Sequence, residues 1–246
     1  MPDSRQHYNK APIVEAVIEV RYEAPASIAS IRQAATRLEG KYGYSNRRDT
    51  IEFKTHFNLN SNRTQQEKRV VGLQLASKDQ REILILNEHR FTYALLAPYS
   101  EWDDLFQKAK NAWNVCSSAW SSRITRIGVR FVNRIDVPIS LLETESPKSL
   151  FNIYPFFPEN ISVNLSTYVV NVTIDIEDGW SSRITSSIAD PIVPNTQAFL
   201  LDIDVFKEED LPLSGGKLWE TIDKVRAKKN RIFEACITQK TRELFE

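Results

Sequence analysis

The stretch Ile124 to Pro138, ITRIGVRFVNRIDVP, constrains the fold more than any other part of the chain. Read with the two-residue period of a β-strand, it places Ile127, Val129, Phe131, Asn133, Ile135 and Val137 on one face. Arg126, Gly128, Arg130, Val132, Arg134 and Asp136 fall on the other. A strand this long with one apolar face belongs in a sheet whose other strands share that face, under a layer that keeps it from water. The arginines, four residues apart, stand about 13 Å from one another along the strand. That is too far for them to share one small anion, and it suits separate pairing.

The flanking sequence supplies the partners. Pro12 to Glu23 alternates with Val14, Ala16, Ile18, Val20 and Tyr22 on one side. Ser27 is placed to cap a helix carrying Ile28, Ile31, Ala35 and Leu38, which Gly40 and Gly43 end. From Asp49 the period of two returns in IEFKTHFNLN, KRVVGLQLAS and EILILNEHRFTYALL, read as two or three antiparallel strands. Ser100 and Asp103 then resemble a capping box ahead of a helix whose stripe holds Trp102, Leu105, Phe106, Ala109, Trp113, Cys116 and Trp120. Three tryptophans on one stripe must cover the sheet or a partner subunit. After the arginine strand comes a Pro-broken segment, then alternation in YVVNVTIDIED, WSSRITSSIAD and QAFLLDIDVF, and a last helix from Leu218 to about Glu246.

The order β-α-βββ-α, then β, a short or broken helix, βββ and α, predicts an α+β fold of two tandem β-α-βββ-α halves. Each half is an antiparallel sheet covered by helices. The halves run 1–122 and 123–246 and pack as one globular unit. A single antiparallel sheet gripping one long C-terminal helix is the alternative. Val20 to Pro25 and Asn133 to Pro138 each end a strand with Arg, apolar, acid, apolar, Pro, which supports a duplication.

The arginine face offers a phosphate or carboxylate clamp from Arg126, Arg130 and Arg134. Against this, the neighbouring strands carry Asp175, Glu177, Asp202 and Asp204, and opposite charges facing each other across a sheet are ordinary. Lys228, Lys229 and Arg231 on the last helix form a short basic patch of the kind that touches nucleic acid backbone. Trp102, Trp113 and Trp120 are a possible interface. Asp202 and Asp204, two residues apart on one strand face, have a spacing that suits two-carboxylate acid/base work. Asn133 is the single polar residue on an apolar face, either a satisfied core amide or part of a pocket.

Several classes drop away. Lys plus Arg number 32 and Asp plus Glu number 32, so no net field draws the chain to nucleic acid or to an anionic membrane. With seven glycines and no P-loop or dinucleotide fingerprint, a phosphate-cradling loop is not expected, and Ser214 to Lys217 reads as a flexible joint. His7, His56 and His89 lie far apart without ligand spacing, and Cys116 and Cys236 fall in helical patterns as free buried thiols. No metal, cofactor or catalytic residue is predicted. A polar N-terminus and the absence of a long apolar run predict a soluble, cytoplasmic protein without a membrane span.

Four stretches carry a resemblance: Pro12 to Ala16 (PIVEA), Tyr99 to Trp102 (YSEW), Arg126 to Ile135 (RIGVRFVNRI) and Asn230 to Thr238 (NRIFEACIT). In these the chain resembles a family of uncharacterised, sporadically distributed prokaryotic proteins of similar length. The patchy distribution implies genes of mobile elements or defence islands, and it supplies no catalytic residues. The expectation is a non-catalytic binding or accessory protein of a phage-defence or toxin-linked operon, working through a protein partner or as a homo-oligomer. A nucleic-acid or nucleotide sensor is the alternative, and an acid-dyad hydrolase the second.

Overall fold

The computed structural model describes residues 8–44, 46–58, 63–158, 165–209, 211 and 215–246, with the side chains of 56–58, 63–65 and 215 left aside. The strands are β1 (Ile13–Tyr22), β2 (Asn46–Asn58), β3 (Arg63–Ala76), β4 (Glu82–Asn87), β5 (Arg90–Leu96), β6 (Ile124–Pro138), β7 (Val169–Ile176), β8 (Trp180–Ala189) and β9 (Thr196–Lys207). They form one nine-stranded antiparallel sheet in the order β2-β3-β4-β5-β1-β6-β9-β8-β7. The expectation of two tandem halves, each with its own sheet, is thereby corrected. The first strand of each expected half pairs with the other, Ile18 against Val129 and Val17 against Arg130, so what would be two edges become the middle of one sheet. Periodicity assigns faces to strands and is silent on which strands pair. The boundary near residue 122 falls just before β6, a central strand, and one apolar cluster spans both sides of it.

The helices cover one face of this sheet. They are α1 (Ile28–Tyr42), α2 (Trp102–Cys116), the single turn α3 (Ile139–Leu142), α4 (Gly215–Asp223), α5 (Val225–Cys236) and α6 (Gln239–Glu243). Facing them are Ala16, Ile18 and Val20 of β1, Leu84 and Leu86 of β4, Phe91 and Tyr93 of β5, Ile127, Val129 and Phe131 of β6 and Leu201, Ile203 and Val205 of β9, all buried. The same parity that predicted the inner face of β6 holds across the registers, as Tyr93, Ile18, Val129, Val205 and Ser182 lie opposite one another in turn. α1 starts where Ser27 accepts a hydrogen bond from the Ser30 amide and stops at Gly43, whose φ of 68° is cheap for a residue without a Cβ.

Local readings fail where tertiary contacts decide. EILILNEHRFTYALL is two strands, β4 and β5, turning at Glu88 and His89. α2 begins at Trp102 after Glu101, and Ser100 bonds the Asp104 carboxylate in place of the expected capping box. β7 keeps its predicted face, yet Val172 and Ile174 are exposed because it is an edge strand beyond the helical layer. The expected long C-terminal helix is three helices. At Ile237 the chain becomes extended and bridges Phe151, while Thr238 donates to the Leu150 carbonyl and Asn152 caps the carbonyls of Ala235 and Ile237. No helix among the described residues is long and apolar enough to cross a membrane.

Candidate functional site

The open face of the sheet carries the three predicted arginines, and each is already paired. Arg126, with its side chain 7% exposed, donates from Nη1 to Glu19 at 2.8 Å and from Nη2 to Asp204 at 2.6 Å, and its guanidinium lies 4.5 Å from the centroid of Phe206. Gly128 makes this geometry possible, since a Cβ there would stand 2.5 Å from Arg126 Nη1. Arg130 takes Asp202 in a two-pronged bond of 2.8 and 2.7 Å. Arg134 bonds Asp136 and the carbonyl of Asp190. Burial pushes the Asp204 carboxyl up in spite of Arg126. Glu15, Glu19, Arg90, Arg183, Asp202 and Asp204 line the same shallow groove, of about 500 Å³, so cations and acids alternate across it. Asp202 and Asp204 face arginines and leave no free acid pair.

The basic patch of α5 divides in two. Lys228 reaches Glu177 at 3.0 Å and Asp178 at 2.8 Å, and Arg231 reaches Glu177 at 2.5 Å, so both neutralise the β7–β8 turn. The Glu177 carboxyl is held down at about 2, first by Arg231. One residue along, a helix turns through about 100°, and Lys229 points away from that turn and toward Phe131 of β6. Its Nζ stands 3.9 Å from the centroid of the Phe131 ring, with no carboxylate in salt-bridge reach among the described residues. Burial and the nearby Arg226 pull its pKa down to about 8, Glu234 opposing.

Lys229 lines a cavity of about 340 Å³ enclosed by the segment before β1, the start of α2, the middle of β6 and α5. That is at the lower end of the range for small-molecule sites. Its walls are aromatic: Tyr99 meets Phe131 edge-on at 5.6 Å, Trp102 lies 6.5 Å from it, and Tyr8 meets Phe233 edge-on at 6.3 Å. Asn133, 2% exposed, donates from Nδ2 to the Leu201 carbonyl at 2.9 Å and also lines this cavity. Both sequence readings of Asn133 hold at once. Glu234, the nearest acid on α5, is occupied by the Tyr8 hydroxyl and by Arg242, each at 2.7 Å.

Of the tryptophans expected to form an interface, Trp102 and Trp120 are buried and Trp113 is partly buried against the core. Trp102 is 3% exposed and donates to Asp223, Trp120 stacks on Tyr22 and donates to the carbonyls of Asn87 and Glu88, and Trp113 donates to the Tyr22 hydroxyl. The α2 side chains of the stripe pack on the core of this chain, and Trp120 lies beyond the end of the helix. Trp102 alone of the three also lines the cavity. Cys116 and Cys236 are free and buried; burial raises both thiols, Cys236 to about 11, which leaves neither as a ready nucleophile. His7 and Ser214 lie outside the described residues, as does the side chain of His56.

Each of the four sequence stretches singled out above contributes to this one cavity: Pro12 and Ile13, Tyr99 to Trp102, Phe131 and Asn133, and Asn230, Phe233 and Glu234. The missed signal was the stripe Ile222, Arg226, Lys229 and Phe233, at helical spacing, which puts two cations in line with two buried apolar residues. No protein-family model matches the sequence, and a search of curated proteins returns no match.

Proposed function

We propose that the chain is a non-catalytic binding protein, an accessory component of a defence or toxin-linked operon, whose ligand site is the cavity between β6 and α5. The observation that carries this reading is Lys229. A lysine turned into an aromatic cavity with no carboxylate in salt-bridge reach among the described residues costs stability, and such a cost is tolerated where the group meets something else. Around it the walls are rigid: Phe131 and Asn133 stand on a central strand, and Trp102 is tied to Asp223. The paired arginines and acids of the open face favour neither the nucleic-acid sensor nor the acid-dyad hydrolase. A panel of small molecules screened by thermal unfolding tests the reading, with Lys229→Met as the control. Compounds that raise Tm in the parent and not in the variant support it; a panel with no such compound counts against it.

One observation favours a protein partner in addition. Among the described strands β7 is an edge strand, with Val169 71% exposed on one face and Val172 and Ile174 exposed on the other. An unpaired strand edge with apolar side chains is a template for another chain. Light scattering of Ile174→Lys against the parent tests this: a parent oligomer that the variant dissociates supports edge pairing, and a monomeric parent that captures no operon product removes it.

A further inference from the structure

We propose that the cavity takes a small organic anion, a carboxylate or phosphate on a flat apolar body, with its charge held between Arg226 and Lys229 and its body against Phe131, Tyr99 and Trp102. This rests on the binding reading above and names the ligand class.

The charge count around the cavity points to an anion. Arg226 and Lys229 lie one turn apart on α5 and both line it. They repel, which is one of the two causes that depress Lys229. Among the described residues Arg226 has a single loose partner, Asp103 at 3.6 Å, whose side chain is 71% exposed. Of the acids on the walls, Glu234 is spent on Arg242 and Tyr8, and Glu101 is exposed ahead of α2. Two cations with little compensation in a partly dry site favour one shared anion, because it relieves their repulsion and meets both with charge-assisted hydrogen bonds. A cation over an aromatic face is held without being neutralised, so Lys229 remains available.

The rest of the lining argues for a flat apolar body rather than a bare ion. Tyr99, Trp102, Phe131 and Phe233 line the space, and aromatic walls suit offset or edge-on contact with a ring. Inorganic phosphate would satisfy the cations and leave those surfaces wet.

Binding is linked to a proton. Near pH 8 about half of Lys229 is neutral, and an anion restores the charged form, so the complex takes up a fraction of a proton. Tyr8, Tyr99, Glu101, Glu234 and Arg226 are the other ionisable groups facing the cavity. The two tyrosines are pushed up by burial, above the range of interest.

Calorimetric titration of the full chain with benzoate, phenyl phosphate, benzyl alcohol and inorganic phosphate, in two buffers of different ionisation enthalpy at pH 8, provides the test. Expected are binding of one or both aromatic anions at millimolar concentration or below, weaker binding of benzyl alcohol and inorganic phosphate, and proton uptake. Lys229→Met and Arg226→Met should each lose roughly tenfold or more in affinity. Preference between benzoate and phenyl phosphate assigns the charged group. Benzyl alcohol binding as tightly as benzoate, or a Lys229→Met affinity equal to that of the parent, overturns the anion proposal and leaves a cavity for neutral ligands. Failure of both aromatic anions overturns it too, and the small-molecule panel then decides separately whether the binding reading survives.

Discussion

Lys229 Nζ stands 3.9 Å from the centroid of the Phe131 ring, while its neighbour Lys228 reaches two carboxylates on the β7–β8 turn. Adjacent lysines on one helix thus have opposite roles. One fastens the helix to the sheet's outer hairpin, and the other holds a positive charge inside an aromatic cavity.

Lys229→Met should therefore stabilise the protein. A lysine whose folded pKa lies near 8, below its unfolded value, makes the folded state pay while both states are protonated. The penalty is complete below pH 8, falls as the folded state loses its proton first, and has gone above the unfolded pKa. The gain in the variant should approach about 3 kcal/mol at neutral pH and shrink as pH passes from 8 to above 10. Urea unfolding at several pH values checks it; a variant less stable than the parent at pH 7 contradicts the assignment.

Arg126 and Arg130 look alike in sequence and should behave differently. Removing Arg126 leaves Glu19 and Asp204 facing each other with little solvent, so Arg126→Met should cost about 3 to 5 kcal/mol. Arg130 is 46% exposed and pairs with Asp202 at the surface, so Arg130→Met should cost about 1 kcal/mol or less. Denaturant midpoints for the two variants give the comparison directly.

Gly128→Ala tests the same network without touching a charge. The new methyl would displace the Arg126 guanidinium, and a loss of about 1 to 3 kcal/mol is expected. Combining it with Arg126→Met should add little, because both changes act on one interaction. Full additivity would show that the glycine serves something else.

Binding to nucleic acid should be weak and without a steep salt slope. Of the cations expected to make phosphate contacts, Arg126, Arg130, Arg134, Lys228 and Arg231 already hold carboxylates. Filter binding of duplex DNA and single-stranded RNA at about 50 and 200 mM salt measures this, where several free phosphate contacts would change affinity by orders of magnitude.

What could be read from the residues was the face each side chain takes. The inward set of β6, the cap at Ser27, the stop at Gly43 and the pairing of arginines with Asp202 and Asp204 all follow from period and charge. Pairing between distant strands was not readable. Nothing local marks β1 and β6 as neighbours, and that one ladder turns two expected sheets into one. The break at Ile237 likewise depends on hydrogen bonds from residues 150–152, remote in sequence. The cavity was partly legible through Asn133, whereas the Arg226–Lys229 stripe was not, because a charged residue on a buried stripe declares itself only when the opposite wall is known.

The most direct test of the account is the pKa of Lys229, followed by the Cε and Nζ shifts of lysine-labelled protein against pH, with Lys229→Met to assign the signal. One lysine should titrate near 8 and move upward when an aromatic anion is added. A Lys229 that titrates near its ordinary value of about 10.4, indifferent to any anion, would contradict it.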